Sequence, residues 1–137
     1  MKIFITTIFL SVFYFTSFSQ LSTLEQKVLN LIKEYKIKLN NDEVTEDSKI
    51  SQQCENYTKM MVSINKLEHD PNLGYQSEII QKANSYGFTE DELAKKILNN
   101  FLNSPSHKEL IDENSRKIGL GIITTKENYS WVTIRFE

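Results

Sequence analysis

The stretch Lys117-Ile118-Gly119-Leu120-Gly121-Ile122, followed by Tyr129-Ser130-Trp131-Val132-Thr133-Ile134-Arg135-Phe136, decides the fold class. Ile118, Leu120 and Ile122 alternate with Gly119 and Gly121. Ser130, Val132, Ile134 and Phe136 alternate with Tyr129, Trp131, Thr133 and Arg135. A period of two is the mark of a half-buried strand. A turn near Lys126-Glu127-Asn128 joins the two runs into a β-hairpin. Upstream the pattern is mainly helical. Helices first and a hairpin last place the chain in the α+β class.

Working outward from the hairpin, a short helix is predicted over 105–111, with Asn114 as its stop. Its start, Asn103-Ser104-Pro105-Ser106-His107, reads as a built helix entry. Ser104 can accept a free backbone N–H as N-cap, and Pro105 occupies the first helical position, where its missing N–H costs nothing. His107 then lies in the first turn, at the positive end of the helix dipole. That position favours neutral imidazole, the form that binds metal or accepts a proton. A longer helix precedes it, opened by Thr89 with Glu92 as a capping box and facing the core with Leu93, Ile97, Leu98, Phe101 and Leu102. Residues 70–88 are ambiguous. Pro71, Asn72 and Gly74 mark a turn, after which 75–80 reads as a short strand or 78–81 opens a helix closed by Gly87. The strand is the preferred reading.

Two helices come before. The first carries Leu24, Val28, Leu31, Ile32, Tyr35 and Leu39 at helical spacing behind a Ser22/Glu25 capping box. A polar, acidic loop over 40–47 follows. The second helix, over about 46–66, presents Ile50, Cys54, Tyr57, Met61, Ile64 and Leu67 on one stripe. It ends before Asp70-Pro71, because the residue ahead of a proline avoids helical geometry. His69 therefore falls in its exit loop. Met60 and Met61 read as core filling, and Cys54 as a buried, inert thiol.

Residues 1–19 read as a secretory signal peptide. Lys2 opens it, residues 3–15 form an apolar run broken by Thr6, Thr7 and Ser11, and Ser17 and Ser19 stand before a cleavage point at Gln20. The run is short for a membrane span and lacks a basic stop-transfer flank. Residues 20–137 then make a single exported domain, secreted or periplasmic, with no transmembrane span once the signal is removed. With one cysteine it has no internal disulfide and must hold by packing. A net charge of −2 without a basic stripe disfavours nucleic-acid partners and anionic membrane surfaces.

Phe101-Leu102-Asn103-Ser104-Pro105-Ser106-His107-Lys108-Glu109-Leu110-Ile111, with the Ile118-Gly119-Leu120-Gly121 strand after it, resembles a signature of bacterial CAP domains. These belong to the superfamily of cysteine-rich secretory, antigen 5 and pathogenesis-related 1 proteins. The first helix, through Leu31-Ile32-Lys33-Glu34-Tyr35-Lys36, and the closing strand at Tyr129–Ile134 are similar to the family's opening helix and last strand. His69 resembles its first cavity histidine, and Ser77-Glu78-Ile79-Ile80 its Gly-Glu-Asn-Ile segment. Ser77 and Ile79 depart from that segment, Phe101 stands for a tryptophan and Ser106 for a glycine. A second cavity glutamate is replaced by Ser104.

The resemblance implies a three-layer α–β–α sandwich around a central antiparallel sheet. It implies that His69, Glu78 and His107 converge on an open, ligand-binding cleft, with His69 and His107 as ligands for a divalent metal such as zinc. Taken singly, all three read as solvated surface groups. Three functions follow. The first is a module binding a metal, a small ligand, a lipid or a peptide. The second is a degenerate, envelope-associated structural domain. The third is a metal-dependent hydrolase, with Glu78 completing the metal site or acting as general base on a bound water. No paired nucleophile and base is readable, so no catalytic residue is assigned and the binding module stands first.

Overall fold

A computed structural model describes residues 20–137; the predicted signal peptide lies outside the described residues. Helix α1 (Thr23–Lys38) opens on the expected capping box. Ser22 Oγ accepts from Glu25 N at 3.3 Å, and Glu25 Oε2 accepts from Ser22 N at 2.7 Å. Its buried stripe is Leu24, Val28, Leu29 and Ile32, with Lys36 continuing it. Leu39, expected on that stripe, is exposed because it is the C-cap.

The 40–47 segment is not all loop. Thr45–Glu46 form a short strand, β1, and Asp47 caps helix α2 (Ser48–Ile64) by accepting from Lys49 N and Ile50 N at 3.0 and 3.1 Å. Asn65 stops α2 in the left-handed region at φ 49°, a conformation Asn tolerates. The helix is therefore shorter than the apolar spacing implied. Ile64 and Leu67, expected in the core, are 49% and 45% exposed.

The ambiguous segment resolves as strand β2 (Ser77–Asn84). Gly87, at φ 79°, turns the chain toward helix α3 (Glu90–Leu102), which the Thr89/Glu92 capping box opens as expected. Helix α4 (Pro105–Asp112) and strands β3 (Lys117–Thr124) and β4 (Tyr129–Phe136) complete the chain.

The sheet order is β1-β3-β4-β2. The three long strands pair antiparallel, and β1 adds a two-residue parallel pairing to β3. Helix α2 covers one face; α1, α3 and α4 cover the other. This is the expected α–β–α sandwich. The larger core lies on the three-helix side, where Val28, Ile32, Ile97 and Phe101 meet Ile118, Leu120, Val132 and Ile134. A smaller cluster of Met61, Ile80 and Trp131 lies under α2.

The glycines of β3 determine how close α2 comes. A Cβ on Gly119 would lie 2.4 Å from the backbone of Ile50 and Ser51, and one on Gly121 2.4 Å from the backbone of Cys54 and Glu55. Helix backbone thus rests directly on strand backbone. At that separation Thr58 Oγ1 reaches Gly121 O at 3.0 Å and Thr133 Oγ1 at 2.8 Å. Cys54 is fully buried in this contact, and burial pushes its thiol up to about 12, so it is inert at neutral pH. Gly121→Ala is expected to cost at least about 1–3 kcal/mol, the range for overpacking a filled site. Urea denaturation checks this: a lowered midpoint is expected, and an unchanged midpoint would show that α2 can lift from the sheet.

Candidate functional site

Strand pairing sets the first part of the site. Glu78 on β2 lies directly opposite Arg135 on β4, both on the face that α2 covers. Arg135 is the only charged residue among the inward positions of β4, and it is buried together with Glu78. Its Nε donates to Glu78 Oε2 at 3.0 Å, and its guanidinium donates to Asp70 Oδ2 at 2.7 Å. Glu78 Oε1 accepts from Asp70 N at 3.0 Å and sits 3.0 Å from His69 Nδ1. Both carboxylate oxygens of Glu78 are therefore engaged. The side chain that α2 contributes is Tyr57. Its ring lies 5.2 Å from the Arg135 guanidinium, and its hydroxyl donates to Glu68 O at 2.9 Å. Burial, aided by the charge of Glu78, pushes that phenol up to about 12, which keeps it a donor.

The exit loop of α2 is thus clamped at Glu68, His69 and Asp70. A carboxylate on Nδ1 selects the tautomer with the proton on that nitrogen and leaves Nε2 as the acceptor. The His69 side chain is largely exposed, so that acceptor faces solvent.

His107 comes from the other side of the sheet. It sits in the first turn of α4, as expected, with Pro105 at the helix start. Ser104 occupies the N-cap position but makes no side-chain capping bond, contrary to the sequence expectation. The first turn closes through the backbone instead, Lys108 N donating to Ser104 O at 2.8 Å. The His107 ring packs edge-on against Phe101, with centroids 5.3 Å apart and planes at 90°. Its pKa is lowered, first by burial and then by the positive charge of His69. The neutral state expected from the sequence is favoured, but by packing and a neighbouring imidazole.

Glu78 and His69 are thus in direct contact; among the described residues His107 packs on Phe101 and makes no hydrogen bond or ion pair with either of them. Among the described residues, no group of three or more His, Cys, Asp and Glu side chains is placed to hold a metal ion. Arg135, Asp70 and Tyr57 were not singled out in the sequence. The available signal was Arg135 itself, a lone charge on a strand whose other inward residues are neutral.

A profile of the cysteine-rich secretory protein (CAP) family matches residues 29–136. The chain belongs to the CAP family. No curated protein sequence matches this CAP domain. Its fold is similar to that of an outer surface protein from Borrelia burgdorferi, with a TM-score of 0.69 at 21% identity, covering 82% of this chain and 90% of that one. It is also similar to an extracellular SCP-domain protein from Bacillus anthracis str. Ames. That match has a TM-score of 0.63 at 21% identity and covers 81% of this chain but 39% of that one. A third similar structure is NaASP2, described with Zn2+, with a TM-score of 0.64 at 12% identity, covering 84% of this chain and 80% of that one. At these identities the likeness speaks for the fold.

Removing Arg135 leaves two carboxylates facing a buried position. Arg135→Met is expected to cost about 3–5 kcal/mol, the range for orphaning a buried charge. Adding Glu78→Gln should recover part of that loss. Chemical denaturation of both variants decides it, and equal losses would mean that Glu78 is not the orphan. The second expectation concerns pH. His107 should titrate below its ordinary 6.5 and move upward in His69→Ala, read by its ring proton in NMR. Its folded pKa is lowered, so the unfolded chain binds the extra proton. This contribution to stability is whole above about 6.5 and is lost as pH falls from there through the folded value.

Proposed function

We propose that this CAP domain is an exported binding module whose cleft takes its ligand through His69 and His107. The observation that carries the reading is the contact of Glu78 with His69 Nδ1. A carboxylate on one ring nitrogen, itself held by an arginine, is the arrangement that orients a ligating imidazole and raises its basicity. His107 supplies a second imidazole kept neutral by its surroundings. Two neutral imidazoles suit a divalent cation such as zinc. His69 and His107 would hold it, and Glu78 would act through His69. A bound cation would supply a Lewis-acidic centre with open positions for an oxygen ligand from a small molecule, lipid or peptide. NaASP2 is described with Zn2+, which supports testing that metal first.

The hydrolase reading is weaker on chemical grounds. A general base on a metal-bound water needs a free carboxylate, and both oxygens of Glu78 are already engaged. The Cys54 thiol is buried and inert. Export rests on residues 1–19, and the outer-surface and extracellular descriptions of the similar structures agree with it. Among the described residues, no helix is long and apolar enough to cross a membrane.

Isothermal titration of the metal-free protein with zinc tests the cleft. Binding is expected, and His69→Ala and His107→Ala should each weaken it by tenfold or more, which is about 1.4 kcal/mol. Unchanged affinity in both variants would overturn the shared site. Glu78→Gln should weaken binding by about 10- to 100-fold, as loss of an orienting partner does.

A further inference from the structure

Behind the clamp lies a cavity of about 530 Å³ that none of His69, Glu78 and His107 lines. One wall is a single face of α2, where Gln53, Asn56, Tyr57 and Met60 recur at helical spacing. The opposite wall is the connection before β2, with Asn72 and Tyr75. The volume lies within the range of small-molecule sites.

The lining identifies the chemistry of its ligand. Asp70 and Arg135 are its only charged residues, and they pair with each other at 2.7 Å. The floor therefore offers no free ion to a phosphate, a carboxylate or an amine. Amides supply the polar groups of the walls. Those of Asn56 and Asn72 make no side-chain hydrogen bond among the described residues, and each presents both donors and an acceptor. A hydroxyl is likewise donor and acceptor, so amides match hydroxyl groups without regard to charge. Tyr75 is 83% exposed at the rim, and Tyr57 lies inside, its own hydroxyl already committed to Glu68. These rings offer apolar faces beside polar groups, which suits a ligand whose C–H faces alternate with hydroxyl edges.

We propose that this cavity is a second binding site of the CAP domain, for a neutral saccharide, joined to the histidine cleft through Asp70 and Arg135. Both residues line the cavity and both hold the Glu78–His69 pair. A ligand seated on them is therefore felt at the His69 ring. The site does not depend on metal binding in the cleft.

NMR titration of the protein tests this, with chitotriose, cellobiose and maltotriose as neutral probes and inorganic phosphate as the charged one. At least one saccharide should produce saturable shifts at the Asn56 and Asn72 side-chain amides and at the His69 ring. Asn56→Ala and Tyr75→Ala should weaken that binding by about tenfold, or about 1.4 kcal/mol. His107→Ala should leave it unchanged, which separates this site from the cleft. Asn56 and Tyr75 are exposed, so the variant spectra also report that the fold is kept. The proposal fails if no saccharide shifts these resonances, if phosphate binds more tightly than the sugars, or if both variants bind as the wild type does.

Discussion

Helix α2 meets β3 with backbone against backbone, because Gly119 and Gly121 leave no Cβ between them. That separation fixes more than a packing distance. It brings Ser51 Oγ within 3.2 Å of Leu120 N, so that the hydroxyl accepts a strand N–H that short β1 does not reach. It also seats Thr58 on Gly121 and Thr133. Register and depth of the helix follow from these contacts, and with them the point where α2 ends. Had α2 been held off by ordinary side chains, Tyr57 would not lie against Arg135. The exit loop would then lack the footing that puts Asp70 and His69 beside Glu78.

The other face of the sheet is latched by buried polar groups acting across layers. Glu25 closes its own capping box with one oxygen and accepts from Ile122 N at 2.8 Å with the other, satisfying the next free donor along the β3 edge. Lys36 is fully buried, and burial lowers its pKa, yet its Nζ donates to Ile111 O and Glu113 O at 2.7 and 2.5 Å. A cation on the last carbonyls of α4 sits at the negative end of that helix dipole. Tyr35 adds a bond to Asp112 at 2.9 Å. α1 thus holds the far end of α4 while Phe101 holds its near end. The position of His107 is set by both.

What could be read in the sequence was local. The Ser22/Glu25 and Thr89/Glu92 boxes are three-residue patterns, and the closing hairpin is a period of two; both were legible without tertiary information. The place of His107 in the first turn of α4 was legible from Pro105 at the helix start. What escaped was non-local. The burial of Lys36 had no local signal, because its partners lie 75 residues or more away. β1 exists only because β3 is there to pair with it. Ser104 had a good capping sequence, yet its hydroxyl makes no capping bond and the turn closes through its carbonyl. Arg135 read as the outward half of an alternating strand. That inference assumes one wet face, and the sheet has none, since α2 covers the second.

The Arg135 network cannot be explained by stability alone. Desolvating a guanidinium and two carboxylates is costly, and apolar residues of the same volume commonly serve a core as well or better. An apolar trio would fill the space under Tyr57. It could not accept from Asp70 N and hold His69 Nδ1 with the same carboxylate oxygen. The network's particular capacity is to fix the orientation of one loop and one imidazole together, through a carboxylate that Arg135 holds in place. Burial also holds the Glu78 end of the clamp, because that carboxylate cannot leave Arg135 without facing a water-poor interior. The result is an exposed imidazole whose Nδ1 meets a buried carboxylate that an arginine fixes from the other side.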